Sequence, residues 1–494
     1  MAEKSKKALL SKSTFIKGIQ CRKALYLYKN RYFLRDPLSP EQRAKFVRGT
    51  DVGIFARQLF PGGMDASPAT HFQMAKSVEK TAALIAEGST DVIYEAAFAF
   101  DDVVVALDIL YRKDGKWHGA EVKSSRSLSE TYHWDAALQY YVISGSGMEL
   151  ADFSLVYINK DYVRQEAIDP WKLFVMESRL EDAKGKQDMV KELVAELKET
   201  IALKKSPEIP IGMHCHDPYP CDFIDHCWKK VPDTSVFLLK GVERELQFAW
   251  YHQGIEQVDQ IPDEYKQMPL IASQLKSISD RTPVLDKELL QKHFHGSSGK
   301  GLIMNTFVFA PAIPLFVGTQ PYQILPFAVG WQDLASGKAY HWLDEPGTND
   351  TDQTARKILE IAREYDTIWV FDLETEKNLL GRYSLSMPQL AAEFALIEQK
   401  FRGLKSPLEE NWIVHPHHQE LNHPEQFLTH FGVASAKLPR NLQIRQEADV
   451  LYQRLSQTDS PQEIEDGTES LQHFIKGKMK NIHKLYQLFC DLSA

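Results

Sequence analysis

The stretch Val103-Val104-Val105-Ala106-Leu107-Asp108-Ile109-Leu110-Tyr111-Arg112-Lys113-Asp114-Gly115-Lys116-Trp117-His118-Gly119-Ala120-Glu121-Val122-Lys123 decides how this 494-residue chain is read. Its first half is an apolar run rich in β-branched residues, and residues 117–122 form a second strand candidate. Asp-Gly between two such runs is the preferred centre of a type I′ hairpin. A two-residue loop sets Lys113 against Lys116, and counting outward sets Asp108 opposite Glu121. Directly opposed Cβ atoms stand roughly 5 Å apart on one face. Lys123, two residues further, shares that face. Paired carboxylates repel, so they need a cation or a shared proton between them.

Carboxylate oxygens suit Mg²⁺ or Mn²⁺. Such a metal lowers the pKa of a bound water and neutralises phosphate charge, while a nearby ammonium stabilises a developing oxyanion. This chemistry hydrolyses phosphodiesters. Tyr94-Glu95 opens the preceding strand candidate, and Trp134-Asp135-Ala136-Ala137-Leu138-Gln139-Tyr140-Tyr141 reads as the following helix. An Asp, then Glu-Val-Lys on the next strand, resembles the RecB-like branch of the PD-(D/E)XK nuclease superfamily. The resemblance implies that Asp108, Glu121 and the carbonyl of Val122 hold the divalent metal. It implies that Lys123 positions water or stabilises the transition state, and that Glu95 and Gln139 support the site. The branch's tyrosine, four residues after the Gln, would fall on Ile143, which leaves Tyr140 or Tyr141 as substitutes. Many relatives carry a His in the first core helix. The stretch 49–57 has none, so Glu95 is expected to fill that place or the site to use one metal.

Three of the five cysteines form Cys215-x5-Cys221-x5-Cys227, and Cys21 lies about two hundred residues earlier. One early and three late cysteines resemble the iron–sulfur nucleases related to AddB and to the CRISPR-associated Cas-four family. The implied cofactor is a [4Fe-4S] cluster on Cys21, Cys215, Cys221 and Cys227, since four thiolates complete its ligand set. Zn²⁺ is the alternative, because four cysteines also satisfy a tetrahedral structural site. The five-residue gaps are wider than common zinc knuckles and favour iron and sulfur. Cys490 reads as a core residue. Disulfides are not expected: no signal segment is read at the N-terminus, and a cytoplasmic chain is reduced.

Composition bounds these readings. With 43% hydrophobic and 25% charged residues the chain reads as globular, and without an apolar run of about 18 residues no membrane span is expected. The net charge of −9 disfavours nucleic acid as a partner, yet residues 1–50 hold 13 Lys or Arg against three acids. Lys12, Lys17, Arg22 and Lys23 lie there among Phe15, Tyr26 and Tyr28, a mixture that can track phosphates and stack bases. The first seven residues read as a solvated basic start. DNA, chiefly single-stranded, is therefore the expected partner.

Helices are expected at 13–28, 40–60, 72–87 and 173–204, with a further strand at 153–159. Short helices at 233–290 suggest a connector. From about 298 the chain reads as strands at 302–304, 327–332, 339–343 and 367–371 with helices at 351–364 and 386–401. This order suits an RNase H-like domain. Pro311-Ala312-Ile313-Pro314 with Gly318-Thr319-Gln320-Pro321-Tyr322-Gln323 resembles an uncharacterised bacterial family that joins a RecB-like nuclease to such a segment. Where that family carries Asp-Phe-Glu, this chain has Asn305-Thr306-Phe307, and Phe binds no metal. Asp372 and Glu374 read as a cap or turn. The implied architecture is α/β throughout. A PD-(D/E)XK restriction-endonuclease-like core with helical and iron–sulfur elements spans 1–232, a helical connector 233–295, and a degenerate RNase H-like domain 296–494, kept for binding or protein assembly.

Other motifs fall short. Residues 296–301 lack the glycine spacing of a phosphate loop and read as a joint. His415, His417, His418 and His423, flanked by Pro416 and Pro424, read as solvated imidazoles. The leading expectation is a metal-dependent DNA nuclease of the cytoplasm. The rival is a non-catalytic nucleic-acid-binding scaffold or accessory subunit of a repair or defence complex.

Overall fold

A computed structural model describes residues 9–68, 70, 73–296, 299–348 and 351–494. Ser297 and Ser298 of the rejected phosphate loop, and the first basic residues, lie outside the described residues. The architecture is mixed α/β in two compact units. The first comprises Met1–Lys230 and Ala312–Gln323, the second Val231–Pro311 and Ile324–Ala494.

The first unit is built on a seven-stranded sheet of β1 (Leu10–Ser11), β2 (Met64–Asp65), β3 (Val92–Phe100), β4 (Val103–Lys113), β5 (Lys116–Lys123), β6 (Asp152–Ile158) and β7 (Phe174–Ser178). The order is β2-β3-β4-β5-β6-β7, with β1 paired to β4. Strands β3, β4 and β5 run antiparallel, and β5 and β6 run parallel through the crossover helix Glu130–Gly145. Asp114 and Gly115 both take positive φ, 52° and 74°, as a type I′ turn requires. Lys113 pairs with Lys116, and the expected register holds to Ile109 against Ala120.

Apolar side chains cover both faces of this sheet. Val103, Val105 and Leu107 pack with Phe15, Leu138, Val142 and Val194 on one face. Ile109 and Tyr111 pack with Val52, Ala56, Val156 and Ala312 on the other. Odd-numbered residues of β4 thus change faces between Leu107 and Ile109, so the pleat reverses at Asp108. Strand β3 reverses beside it: Tyr94 joins one core and Ala96 the other, around Glu95 at φ 54°. Regular alternation holds a side chain to one face. The twin reversal interrupts that alternation where the acids stand.

Several expected elements differ. The helix expected at 13–28 is two helices, Lys12–Gln20 and Arg22–Asn30, because Cys21 is extended at φ −160° and ψ 117°. Residues 173–204 begin with β7, whose apolar residues pair with β6, and the long helix is confined to Gln187–Ala202. Edge pairing overrides helical periodicity there. The helix Met74–Glu87 ends on Gly88 at φ 62°, as its sequence suggests.

The second unit contains a five-stranded sheet of β9 (Gly301–Phe309), β10 (Leu325–Asp333), β11 (Ala339–Leu343), β12 (Thr367–Val370) and β13 (Phe401–Gly403), preceded in sequence by the short β8 (Val284–Leu285). Its order is β11-β10-β9-β12-β13. Strands β9, β10 and β11 are antiparallel, while β12 and β13 run parallel to β9. Ala355, Ile358, Leu379 and Phe394 pack from helices onto one face. Phe474, from the helix Pro461–Ser493, meets Phe307 on the other face. The helix expected at 386–401 is replaced by a helix Leu373–Ser386, a helix Ala391–Glu398 and strand β13. Pro388, whose ring cannot continue a helix, separates the two. Asp372 caps the first of them by accepting from the Thr375 N–H at 2.9 Å, which matches the reading of that acid as a cap.

Candidate active site

Glu95, Asp108 and Glu121 lie in one transverse row, because their neighbours pair in step across β3, β4 and β5. Where the β4–β5 ladder ends, the Val122 N–H donates to Asp108 Oδ2 at 2.6 Å in place of a backbone carbonyl. This bond draws the Asp108 carboxylate toward β5. Glu121 is 2% exposed, and its Oε1 accepts from Lys12 Nζ at 2.7 Å and Lys123 Nζ at 2.8 Å. Its Oε2 is buried with no hydrogen-bond partner. An unpartnered buried carboxylate oxygen is costly unless another group uses it. Beside Asp108, that oxygen fits a divalent cation.

The protonation pattern follows from crowding. Burial, then the charge of Glu121, pushes Asp108 up to about 8. Burial also acts to raise Glu121, but the ammonium groups of Lys12 and Lys123 outweigh it and hold that carboxyl well below its ordinary range. The two carboxyls titrate as a coupled pair, Asp108 being pushed up and Glu121 held down. Burial raises Glu95 as well, Lys12 opposing and Glu121 adding to the rise. Arg57 stands 3.8 Å from Glu95 and 2.7 Å from Asp65.

Lys123 has a second acidic partner. Its Nζ donates to Asp135 Oδ2 as well as to Glu121. Burial acts to lower the Lys123 pKa, but Asp135, Glu121 and Asp108 hold it well above the ordinary lysine value. Gln139 is fully buried and donates from Nε2 to Asp135 Oδ1 at 3.4 Å, so it acts through Asp135, while its Oε1 is buried without a partner. Asp135 was legible in the sequence, since residues four apart share a helix face. Tyr141 instead donates to Asp101 at 3.0 Å. The aromatic ring near Lys123 belongs to Tyr132, 5.2 Å from its Nζ and two helical turns before Gln139.

The basic residues near the N-terminus are dispersed. Lys12 enters the acid row. Lys17 pairs with Asp222 at 2.6 Å, and Arg22 pairs with Glu196 at 3.0 Å. Lys23 lines a small cavity with Cys21, Cys215, Cys221 and Cys227. All four cysteines are free thiols. Burial raises Cys21 and Cys227, and burial with neighbouring thiols pushes Cys221 up to about 12. The four thiols line one cavity, where the positive charge of a bound metal centre would compensate thiolate formation.

One contribution comes from far along the chain. Within the first unit the Tyr322 hydroxyl donates to the Ser124 carbonyl, immediately after Lys123, with Arg48 and Arg126 5.7 and 5.6 Å from its ring. The segment is fastened by Arg164, whose N–H donates to Thr319 O at 3.0 Å and whose carbonyl accepts from the Gly318 N–H at 2.8 Å. The side chain of Arg164 also donates to the Pro314 carbonyl at 2.9 Å.

In the second unit Thr306 donates from its backbone N–H and its hydroxyl to buried Glu376, at 2.7 and 2.8 Å. Phe307 is buried against Phe327 and Phe474. The face that an acid would occupy is apolar core.

A sequence family described as "Domain of unknown function (DUF2779)" matches residues 308–420, less than a quarter of the chain. No curated protein matches. Among solved structures, one described as "Crystal structure of SSO0001" is 14% identical, covers 42% of this chain and 82% of its own, and has a TM-score of 0.19. A superposition that loose carries no argument about fold or function.

Proposed function

We propose that the first unit is a Mg²⁺- or Mn²⁺-dependent nuclease with a RecB-like PD-(D/E)XK core, hydrolysing phosphodiester bonds of single-stranded DNA or DNA ends. The observation that carries this reading is the buried, unpartnered Oε2 of Glu121 beside Asp108, with the Lys123 ammonium on the same carboxylate. Asp108, Glu121 and the Val122 carbonyl would hold the metal, which supplies an acidified water and neutralises phosphate charge. Lys123, paired with Asp135 and Glu121, would donate to a developing oxyanion. Gln139 and Asp135 fix its position. Lys12 and Arg57 add positive charge along the acid row, where a phosphodiester backbone would lie. Glu95 is a further oxygen donor at the end of that row.

The four cysteines are proposed to hold a [4Fe-4S] cluster, with Zn²⁺ as the alternative occupant. The second unit is proposed to be an RNase H-like domain without its own catalysis. Its support is the strand arrangement, three antiparallel strands followed by two parallel ones, together with Asn305 and buried Phe307 in place of acids. Cleavage of end-labelled single-stranded DNA by the purified chain, with Mn²⁺ and then with EDTA, tests the activity. Metal-dependent cleavage abolished by EDTA supports it, and intact substrate under all divalent metals refutes it.

A further inference from the structure

We infer that the second unit carries a transition-metal site of the Zn²⁺ class formed by His417, Glu420 and His430, separate from the acid row and from the thiol cavity. Among the described residues these three form the group of possible ligands whose donor atoms all lie within 4.8 Å of one another. His417 Nδ1 stands 3.5 Å from one Glu420 oxygen, and His430 Nε2 stands 3.1 Å from the other. Two ligand atoms bound to one tetrahedral zinc ion at about 2.0–2.1 Å lie about 3.3 Å apart. Each imidazole nitrogen stands near that separation from a different oxygen of the Glu420 carboxylate, so one carboxylate lies within reach of both imidazoles. Two imidazoles and one carboxylate leave a fourth position for water.

Local structure explains the convergence. His417 precedes a short 3-10 turn, His418–Glu420, in which side chains three residues apart eclipse. That geometry places Glu420 beside His417. Helix Pro424–His430 then returns the chain so that its last residue supplies His430, whose ring stacks on His417 with centroids 5.0 Å apart. A helix C-terminus favours a cation. His415 braces the turn: it is 5% exposed, its Nδ1 accepts from the His417 N–H at 3.1 Å, and its ring meets Phe431 at 4.9 Å. Of the histidines expected to be solvated, His415 is thus held by packing, while His417 keeps a side chain that is 44% exposed. No sequence spacing signals the ligand set, because His430 lies ten residues beyond Glu420, at the far end of a proline-initiated helix.

Nitrogen and oxygen ligands select imidazole-loving divalent ions over Mg²⁺. The site would clip the 415–423 loop to the following helix, because binding free energy in such a clip stabilises the folded form.

The test uses the full chain, stripped with chelator and titrated with Co²⁺ and then Zn²⁺, beside His430→Ala and Glu420→Gln. Cobalt on the cysteines gives intense near-ultraviolet sulfur charge transfer, whereas nitrogen and oxygen ligands give visible d–d bands alone. The wild type should bind one equivalent more than His430→Ala. Its d–d absorption should fall in both variants while the sulfur band is unchanged, and Glu420→Gln should weaken that equivalent at least tenfold. Glu420→Gln keeps the side-chain size, so it guards against a folding defect in His430→Ala. Equal metal stoichiometry and equal spectra in all three proteins would show an ion-pair network only and overturn the inference. Binding of the extra equivalent only at millimolar metal would overturn it too.

Discussion

Lys12 places its ammonium 2.7 Å from Glu121 Oε1 across 109 residues of sequence. The strand Leu10–Ser11 makes this possible, because it pairs with β4 at Val103 and Val104 and so starts the following helix beside the acid row. A residue that reads as part of a basic N-terminal stretch is therefore part of the site. Burial acts to lower its pKa, but Glu121, Asp135 and Asp108 hold it above the ordinary lysine range.

Replacing Lys12 by Met keeps the aliphatic stem and removes the charge, leaving Glu121 with Lys123 alone. A lost charged hydrogen bond to a buried carboxylate destabilises by about 1–3 kcal/mol. Urea unfolding of the first unit should show a loss of that size. An unchanged midpoint would mean that the pair contributes nothing in solution.

Asp135 touches Lys123 and Gln139, so in the proposed nuclease it would be a positioning residue. Asp135→Asn should lower turnover by roughly ten- to a hundredfold, the usual cost of removing a group that orients a site. The KM for DNA should move little, and the basic limb of the pH–rate profile should shift down as the Lys123 ammonium loses a stabilising charge. Turnover and profile equal to wild type would remove Asp135 from the account.

Cys21 is the test of the thiol centre. Cys21→Ala should lose the brown colour and the bound iron and should melt lower, although Cys21 is remote in sequence from the other three ligands. Cys490→Ala, in the helix Pro461–Ser493, should retain all three properties. Stoichiometric zinc without iron in protein isolated under anaerobic conditions would replace the cluster by a zinc site. Unchanged metal content and stability in Cys21→Ala would contradict any four-thiolate centre.

Glu376 predicts a pH-dependent stability in the second unit. Burial raises it from 4.5 to about 7, with the two Thr306 hydrogen bonds opposing the rise. A raised acid binds its proton more tightly when folded. Its contribution is complete below pH 4.5 and is lost as pH rises through 7, on the order of 3 kcal/mol in all. Thermal melts should show stability falling over that window, and Glu376→Gln should flatten the fall, because an amide stays neutral while still meeting both Thr306 groups. Parallel pH dependence in the two proteins would assign the effect elsewhere.

What the sequence made legible was local. Asp114-Gly115 announces the hairpin because only a few residue types accept positive φ at both turn positions, and the turn then sets the register. The pleat reversal at Glu95 and Asp108 is not local, since the Val122 N–H on the neighbouring strand draws the Asp108 carboxylate across. Phe174–Ser178 reads as helix on periodicity and becomes a strand because β6 offers an edge. The role of Ala312–Gln323 was hidden for a related reason. Its contacts with Arg164 and Ser124 span some 150 to 200 residues, and no pattern within the segment encodes them.

The most direct measurement is single-turnover cleavage of labelled single-stranded DNA with Mn²⁺ by wild type, Asp108→Ala, Glu121→Ala and the double variant. The account predicts metal-dependent cleavage by wild type, loss of most of it in each single variant, and little further loss in the double variant, because residues that act as a unit are not additive. Cleavage by Asp108→Ala at the wild-type rate, with the same metal dependence, would contradict it.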